Sequence, residues 1–375
     1  MKVYFKQFLS CSHSWGNVGT NIAREMKKLE YDVSLCSTNG YDNFPQDLKQ
    51  NIICNKCTTP QNLIKNACNI RDKYDLSFAY TMMMHFTDYL KHAKNRFGCW
   101  NLDGTVIPSG YIKHHVGATK ILPCSTFSKN TFKNNGLPED KMFVIPHGYN
   151  EYDLNQSEKF SLKTNKKIKI LINIQQCHTR KNIKGILDVW GKTFTNSDDV
   201  VLIAKIKNKP ISAPFEVSWN NEYKYFHKKY KNHAPIIVID KFIPNIFDLY
   251  NACDIVFSMS NIECFLMPAL EGLASNKLVI ASGGNSCCGN VDFMNEKNSL
   301  LIKGKIVRAP SNYQYWKTSV YGEMFEPDKE HASELLLHAV KNYDKLMYSF
   351  FDGIKDIKEK YTWASITKQI LNLCE

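Results

Sequence analysis

The stretch SMSNIECFLMPALEGLASNKLVIASGGN, residues 258–285, sets the terms on which the rest of this chain is read. It carries two glutamates, Glu263 and Glu271, with seven residues between them. Glu263 falls in a short loop after a strand-like run at 254–257. Glu271 falls about one turn into a helix that opens at Met267 or Pro268, since proline suits the first helical position. One carboxylate then stands at the helix mouth and the other on its inner face. The backbone N–H groups of Phe265, Leu266 and Met267 are left over at the helix start, where an anion is favoured. Hydroxyl-binding carboxylates beside a phosphate-ready helix end describe a pocket for a sugar nucleotide. A buried loop whose glutamates merely cap the helix accounts for the spacing equally well.

Upstream, the run at 168–174 reads as a strand and 183–190 as a helix. Between them stand Arg180 and Lys181, preceded by Gln175 and Gln176. Two adjacent cations after a strand can neutralise a diphosphate. A solvated helix cap is the competing explanation, although cations are electrostatically disfavoured at a helix start. Residues 205–233 interleave seven lysines with Phe215, Trp219, Tyr223, Tyr225, Phe226 and Tyr230. Single-stranded nucleic acid or sugar rings would use such a surface. A lysine-covered amphipathic helix with its aromatics facing the core is the commoner cause.

At the N-terminus, 3–9 reads as a strand and 17–29 as a helix, with Val18, Ile22, Met26 and Leu29 at helical spacing. A second strand follows at 31–36. The glycine-bearing turn between the first strand and the helix opens a βαβ unit and aims the helix end at a ligand. It lacks GxGxxG, which counts against a nicotinamide dehydrogenase. Further along, strand-like 97–102 runs into Asp103-Gly104. Asp103 is either a carboxylate at a strand's ligand end or an ordinary turn former. His85 is a second candidate in this half.

A chain of 375 residues, 43% hydrophobic and 22% charged, suits two soluble domains with separate cores. No run reaches the ~20 apolar residues that a spanning helix needs. The first residues lack a signal-peptide pattern, so a cytoplasmic protein is expected. Thirteen cysteines, an odd and scattered set, indicate reduced thiols. Cys54 and Cys57 form a lone CxxC, short of the four ligands a structural zinc takes, and no metal is assigned. The net charge of +12 is concentrated in residues 1–150, with 18 lysines and arginines against 11 acids. An acidic partner (nucleic acid, phosphorylated glycan or an anionic membrane surface) would fit, as would a solvated lysine-rich surface.

The order Ser260-x-x-Glu263-x-Phe265-x-x-Pro268-x-x-Glu271-x-x-Ala274 resembles the donor-site motif of retaining glycosyltransferases, specifically glycosyltransferase family 4. Cys264 stands where that family usually has glycine. The segment ending Ile145-Pro-His-Gly148 and the run Glu326-Pro-Asp328 before a helix resemble further family segments. The resemblance implies an α/β protein of the GT-B fold, two Rossmann-like doubly wound domains facing a central cleft. Residues 1–150 would form an acceptor-binding domain onto which a C-terminal helix at 355–375 packs back; 151–354 would bind the nucleotide sugar. It implies a UDP- or GDP-sugar donor, no required metal and retention of anomeric configuration, with a glycan or glycolipid acceptor. The departing phosphate would help to deprotonate that acceptor. Glu263, Lys181, Arg180 and Asp103 become the catalytic candidates, Glu271 the ribose ligand. Gly16, Phe265, Leu266 and Met267 would approach the phosphates, Phe242 and Ile243 the base. A modified nucleic-acid base as acceptor, a sugar-nucleotide epimerase, a phosphorylase and a non-catalytic binding protein remain as alternatives. The phosphorylase lacks a motif for its cofactor lysine.

Overall fold

A computed structural model describes residues 1–9, 11, 14–38, 41–54, 73–91, 93–174, 177–207, 216–284, 286–310, 314–315, 319–320 and 322–374. Gln175, Gln176, Cys57, Phe215 and Asn285 lie outside the described residues. The chain divides into two compact units. One comprises Met1–Leu102, Ile107–Asn150 and Tyr361–Glu375; the other comprises Asp103–Val106 and Glu151–Lys360.

The first unit is built on six parallel strands: β1 (Lys2–Gln7), β2 (Asp32–Ser37), β3 (Ile52–Cys54), β4 (Tyr74–Tyr80), β5 (Ala93–Cys99) and β6 (Lys120–Ile121). Their order is β3-β2-β1-β4-β5-β6, the doubly wound arrangement with its switch point between β1 and β4. Counting α-helices of six residues or more, α1 (Ser14–Lys28) crosses from β1 to β2 and buries Val18, Ile22 and Met26. It lies close to β1 because residue 19 is glycine: a Cβ there would fall 1.3 Å from the Gln7 amide nitrogen. The helix opens three residues earlier than the apolar spacing indicated, so Gly16 sits in its first turn. Next, α2 (Thr126–Asn134) is capped by Ser125, whose hydroxyl accepts the Ser128 N–H at 3.2 Å.

The second unit repeats the plan with β7 (Ile168–Ile174), β8 (Val200–Ile206), β9 (Ile236–Ile239), β10 (Ile255–Ser258), β11 (Leu278–Ser282) and β12 (Leu300–Ile302). The order β12-β11-β10-β7-β8-β9 is the same arrangement, and its switch point falls between β7 and β10. β8 and β11 are buried along their whole lengths, as unbroken apolar parallel strands covered on both faces should be. Helices α3 (Ile183–Thr193), α4 (Trp219–Lys229), α5 (Ile246–Asn251), α6 (Met267–Ala274), α7 (Lys329–Lys341) and α8 (Tyr343–Lys360) belong to this unit. In α4 the buried residues are Trp219 and Phe226, so the basic-aromatic segment follows the amphipathic reading there.

Two features depart from the sequence reading. Helix α8 stays with the second unit to Lys360, so the return to the first unit begins at Tyr361 and not at 355. There α9 (Trp363–Leu371) packs on α1. Asp103, read as part of the N-terminal domain, groups instead with the second unit. Residues 103–106 are drawn there by specific bonds, among them Glu323 N–H to Thr105 Oγ1 at 2.9 Å.

Candidate functional site

The site grows from the two loops that leave β7 and β10, the neighbours at the second unit's switch point. After β7 the chain makes a short turn, Thr179–Lys181, and Asn182 then adopts φ 52°. That left-handed backbone is tolerated by asparagine better than by most residues. Asn182 Oδ1 accepts the Gly185 N–H at 3.2 Å and so caps α3, while its Nδ2 donates to Met259 O at 3.1 Å. The Asn261 N–H donates to Arg180 O at 2.7 Å. The two loops are thereby fastened backbone to backbone, and their side chains meet in a fixed register.

Where they meet, charges cluster. Arg180 Nη1 lies 2.9 Å from Glu263 Oε2, and its Nη2 lies 3.0 Å from Asp103 Oδ2. Lys181 Nζ pairs with Glu263 Oε1. Asp103 Oδ1 accepts the Cys264 N–H at 3.0 Å, so one carboxylate ties the Arg180 turn to the Glu263 loop. Burial pushes the Glu263 carboxyl up, but Arg180 and Lys181 outweigh it and hold the group well below the usual carboxylate range. Burial and then Arg180 pull Lys181 down, against the attraction of Glu263. Two cations and two carboxylates thus balance in a largely buried cluster. Beneath it, His178 Nδ1 accepts the Arg180 N–H at 3.1 Å. Burial, with Arg180 and Lys181 nearby, drives that imidazole down to about 2, so the ring stays neutral and serves as an acceptor.

Beyond Glu263, Leu266 holds φ 66° as the residue before α6, and Pro268 follows in the first turn. The N–H groups of Leu266 and Met267 have no hydrogen-bond partner among the described residues. A hollow beside this helix start is lined by Asn173, Lys181, Ser258, Ser260, Leu266 and Pro268. Further into α6, Glu271 Oε2 accepts the Tyr250 hydroxyl at 2.8 Å, and the Tyr250 hydroxyl oxygen in turn accepts from Asn173 Nδ2 at 3.1 Å. Burial raises the Glu271 carboxyl to about 7, the Tyr250 hydrogen bond opposing it.

Glu263, Lys181, Arg180 and Asp103 are therefore brought together, with Phe265, Leu266, Met267 and Glu271 along the adjoining loop and helix. Phe242, after β9, is 59% exposed, while Ile243 is buried. Gly16 lies in the first turn of α1 and His85 stacks on Tyr89, both in the first unit. Tyr250, His178 and Asn182 escaped the sequence reading. Only Asn182 carried a signal: an asparagine directly before an apolar helical run is a cap candidate.

No protein-family model matches the chain. Over 242 residues it is 24% identical to a probable sucrose-phosphate synthase of Thermosipho melanesiensis, covering 63% of this chain and 48% of that protein. The chain thus spans about half the length of this curated relative. Among solved structures, a sucrose-phosphate synthase from Thermosynechococcus elongatus superposes with a TM-score of 0.71 at 11% identity, over 100% of this chain and 98% of that one. HepE of Anabaena, solved in complex with UDP, gives 0.69 at 15% identity over 99% of both chains. Two parallel six-stranded sheets in doubly wound order, matched end to end by these proteins, define the class: the GT-B fold.

Proposed function

We propose that this chain is a retaining glycosyltransferase that moves a hexose from a UDP-sugar to a hydroxyl acceptor without a bound metal. The observation that carries the reading is the Arg180–Lys181–Glu263 cluster beside the open start of α6. HepE's complexes with UDP, with UDP and glucose, and with UDP-glucose favour uridine over guanosine. In this reading Glu271 accepts the ribose hydroxyls, a task for a carboxylate with free lone pairs. The diphosphate lies at the Leu266 and Met267 N–H groups. Lys181 and Arg180 turn part of their charge towards it and stabilise the negative charge that grows as it leaves. Glu263 holds a hydroxyl of the donor sugar. The anomeric C–O bond to phosphate breaks, the acceptor oxygen bonds to that carbon on the same face, and the acceptor proton passes to the departing phosphate oxygen. A glycan or glycolipid acceptor is the first choice, and a modified nucleic-acid base is the second, favoured by the basic charge of residues 1–150.

The test is a melting-temperature panel with UDP, GDP, dTDP, ADP, their sugar conjugates and NAD(H), on wild type and Glu271→Ala. A ligand at 100 times its dissociation constant adds about 2.7 kcal/mol. Stabilisation by UDP compounds, lost in the variant, is the expected result. The stabilising donor is then supplied with candidate acceptors, and the product anomer is read by NMR. A response to NAD(H) alone, or an inverted product, overturns the reading.

A further inference from the structure

Tyr250 stands in the last turn of α5, fully buried, with its ring centre 6.0 Å from that of Phe247. Packing fixes where its hydroxyl can stand, and a buried hydroxyl needs partners. It finds them on two other elements. Glu271 Oε2, on α6, accepts its proton at 2.8 Å, and Asn173 Nδ2, near the end of β7, donates to its oxygen at 3.1 Å. An ionised carboxylate can only accept, so the Tyr250 proton must point to Glu271. The phenol oxygen is then left to accept from the amide N–H. Burial and the Glu271 charge push the Tyr250 hydroxyl well above the ordinary phenol range while the Asn173 bond opposes them, so the group stays a protonated donor.

Glu271 is only half-buried, and a carboxylate has about four lone-pair sites, so one bond from Tyr250 leaves it able to accept from a ligand. The last torsion of a glutamate is broad, and an untied side chain would have to order it on binding. Tyr250 orders it beforehand. The other groups around α6 are engaged elsewhere. Strands β10 and β11, packed against it, carry no ionisable side chain. On α5, Asp248 Oδ1 accepts the Glu158 N–H at 2.9 Å. On α8, Tyr343 donates to Asp254 O at 3.3 Å and Lys358 to Asn276 Oδ1 at 3.4 Å, and the remaining charged residues are exposed. Burial and the opposing Tyr250 bond are what act on the Glu271 carboxyl.

We propose that Tyr250 is a positioning residue for Glu271: backed by Asn173, its hydroxyl holds the carboxylate ready for a ribose and widens the pH range in which it accepts one. The proposal rests on the reading of Glu271 as the ribose ligand and adds what prepares that ligand. Without the Tyr250 bond, burial acts unopposed and the carboxyl rises above its value of about 7, so binding needs a higher pH. The test titrates UDP by calorimetry into wild type, Tyr250→Phe, Asn173→Ala and Glu271→Gln from pH 6 to pH 9. The phosphate titration of UDP is common to all four and cancels in the ratios of their dissociation constants. Tyr250→Phe keeps the ring and should move the rise in affinity upward by about one pH unit or more. It should bind UDP about fivefold more weakly than wild type at pH 7 and nearly as well at pH 9. Asn173→Ala, which leaves Tyr250 in place, should shift the profile in the same direction by less. Glu271→Gln should lose the part of the pH dependence that belongs to the protein. A Tyr250→Phe profile that matches wild type, or lies below it by the same factor at every pH, overturns the proposal and leaves the ribose reading standing. If wild type does not bind UDP, or Glu271→Gln follows wild type throughout, the ribose reading falls and the proposal with it.

Discussion

Asp103 and Glu271 show how single carboxylates divide the work of the second unit. Asp103 accepts from Arg180 through one oxygen and from the Cys264 N–H through the other. Asp103→Ala would leave a buried N–H without its acceptor and would take from Arg180 one of the two carboxylates it pairs with. We expect a loss of about 2–4 kcal/mol in denaturant unfolding, against about half that for Asp103→Asn, which keeps an acceptor oxygen. Equal losses from the two variants would mean that the bridge to Cys264 contributes nothing. Glu271 behaves differently because its folded-state value, about 7, lies above the ordinary value of 4.5. A carboxyl raised in this way favours folding most below the ordinary value, and that advantage is lost as pH rises through 7. Melting curves of unliganded wild type and Glu271→Gln should therefore separate between pH 5 and pH 8. Wild type should lose roughly 1–3 kcal/mol relative to the variant. Ribose hydroxyls donate better to the ionised carboxylate, so nucleotide affinity should rise over the same interval. Parallel melting curves would contradict the placement of Glu271.

At the scale of elements, the turn from β7 into α3 concentrates its demands on Asn182. The residue holds φ 52°, caps α3 and ties itself to Met259 O. Asn182→Ala loses the cap, the tie and an easy left-handed backbone, and should cost about 2–3 kcal/mol. Asn182→Gly keeps only the backbone and Asn182→Asp only the backbone and cap, so aspartate should cost least and alanine most. A different ranking by urea midpoint would show that the backbone angle is not what constrains this position. The elements themselves were largely legible. Val18, Ile22 and Met26 announce α1, and the apolar runs of β7, β8 and β11 announce buried parallel strands. The Glu263-to-Glu271 spacing with Pro268 placed the start of α6 correctly. What stayed hidden depends on contacts distant in sequence. Asp103 looks like any Asp-Gly turn until it meets Arg180, 77 positions later. Tyr250 looks like any core aromatic until its hydroxyl finds Glu271. His178 reads as a polar loop residue, and only its burial makes it a neutral acceptor.

On the scale of the whole molecule, the chain completes its first unit last, since Tyr361–Glu375 belongs with Met1–Leu102 and Ile107–Asn150. In α9 the buried side chains Trp363, Ile366 and Ile370 cover α1, and the Tyr149 N–H donates to Tyr361 O at 2.8 Å. The approach is close at Gly148, where a Cβ would come within 2.7 Å of the Trp363 nitrogen. Three buried apolar side chains at about 2 kcal/mol each come to roughly 6 kcal/mol. A domain's whole stability is of the order of 5–15 kcal/mol. A chain ending at Lys360 should therefore keep a folded second unit over a first unit near its unfolding threshold. Hydrogen exchange should show protection lost in α1 and β1 and retained in β7, β10 and α6, with two melting steps in place of one. Gly148→Ala should move the full-length protein part of the way in the same direction, because the added methyl meets backbone that cannot yield cheaply. If α1 stays protected in the shortened chain, its neighbours hold it without the C-terminal helix. The return of the chain would then close the first unit without stabilising it.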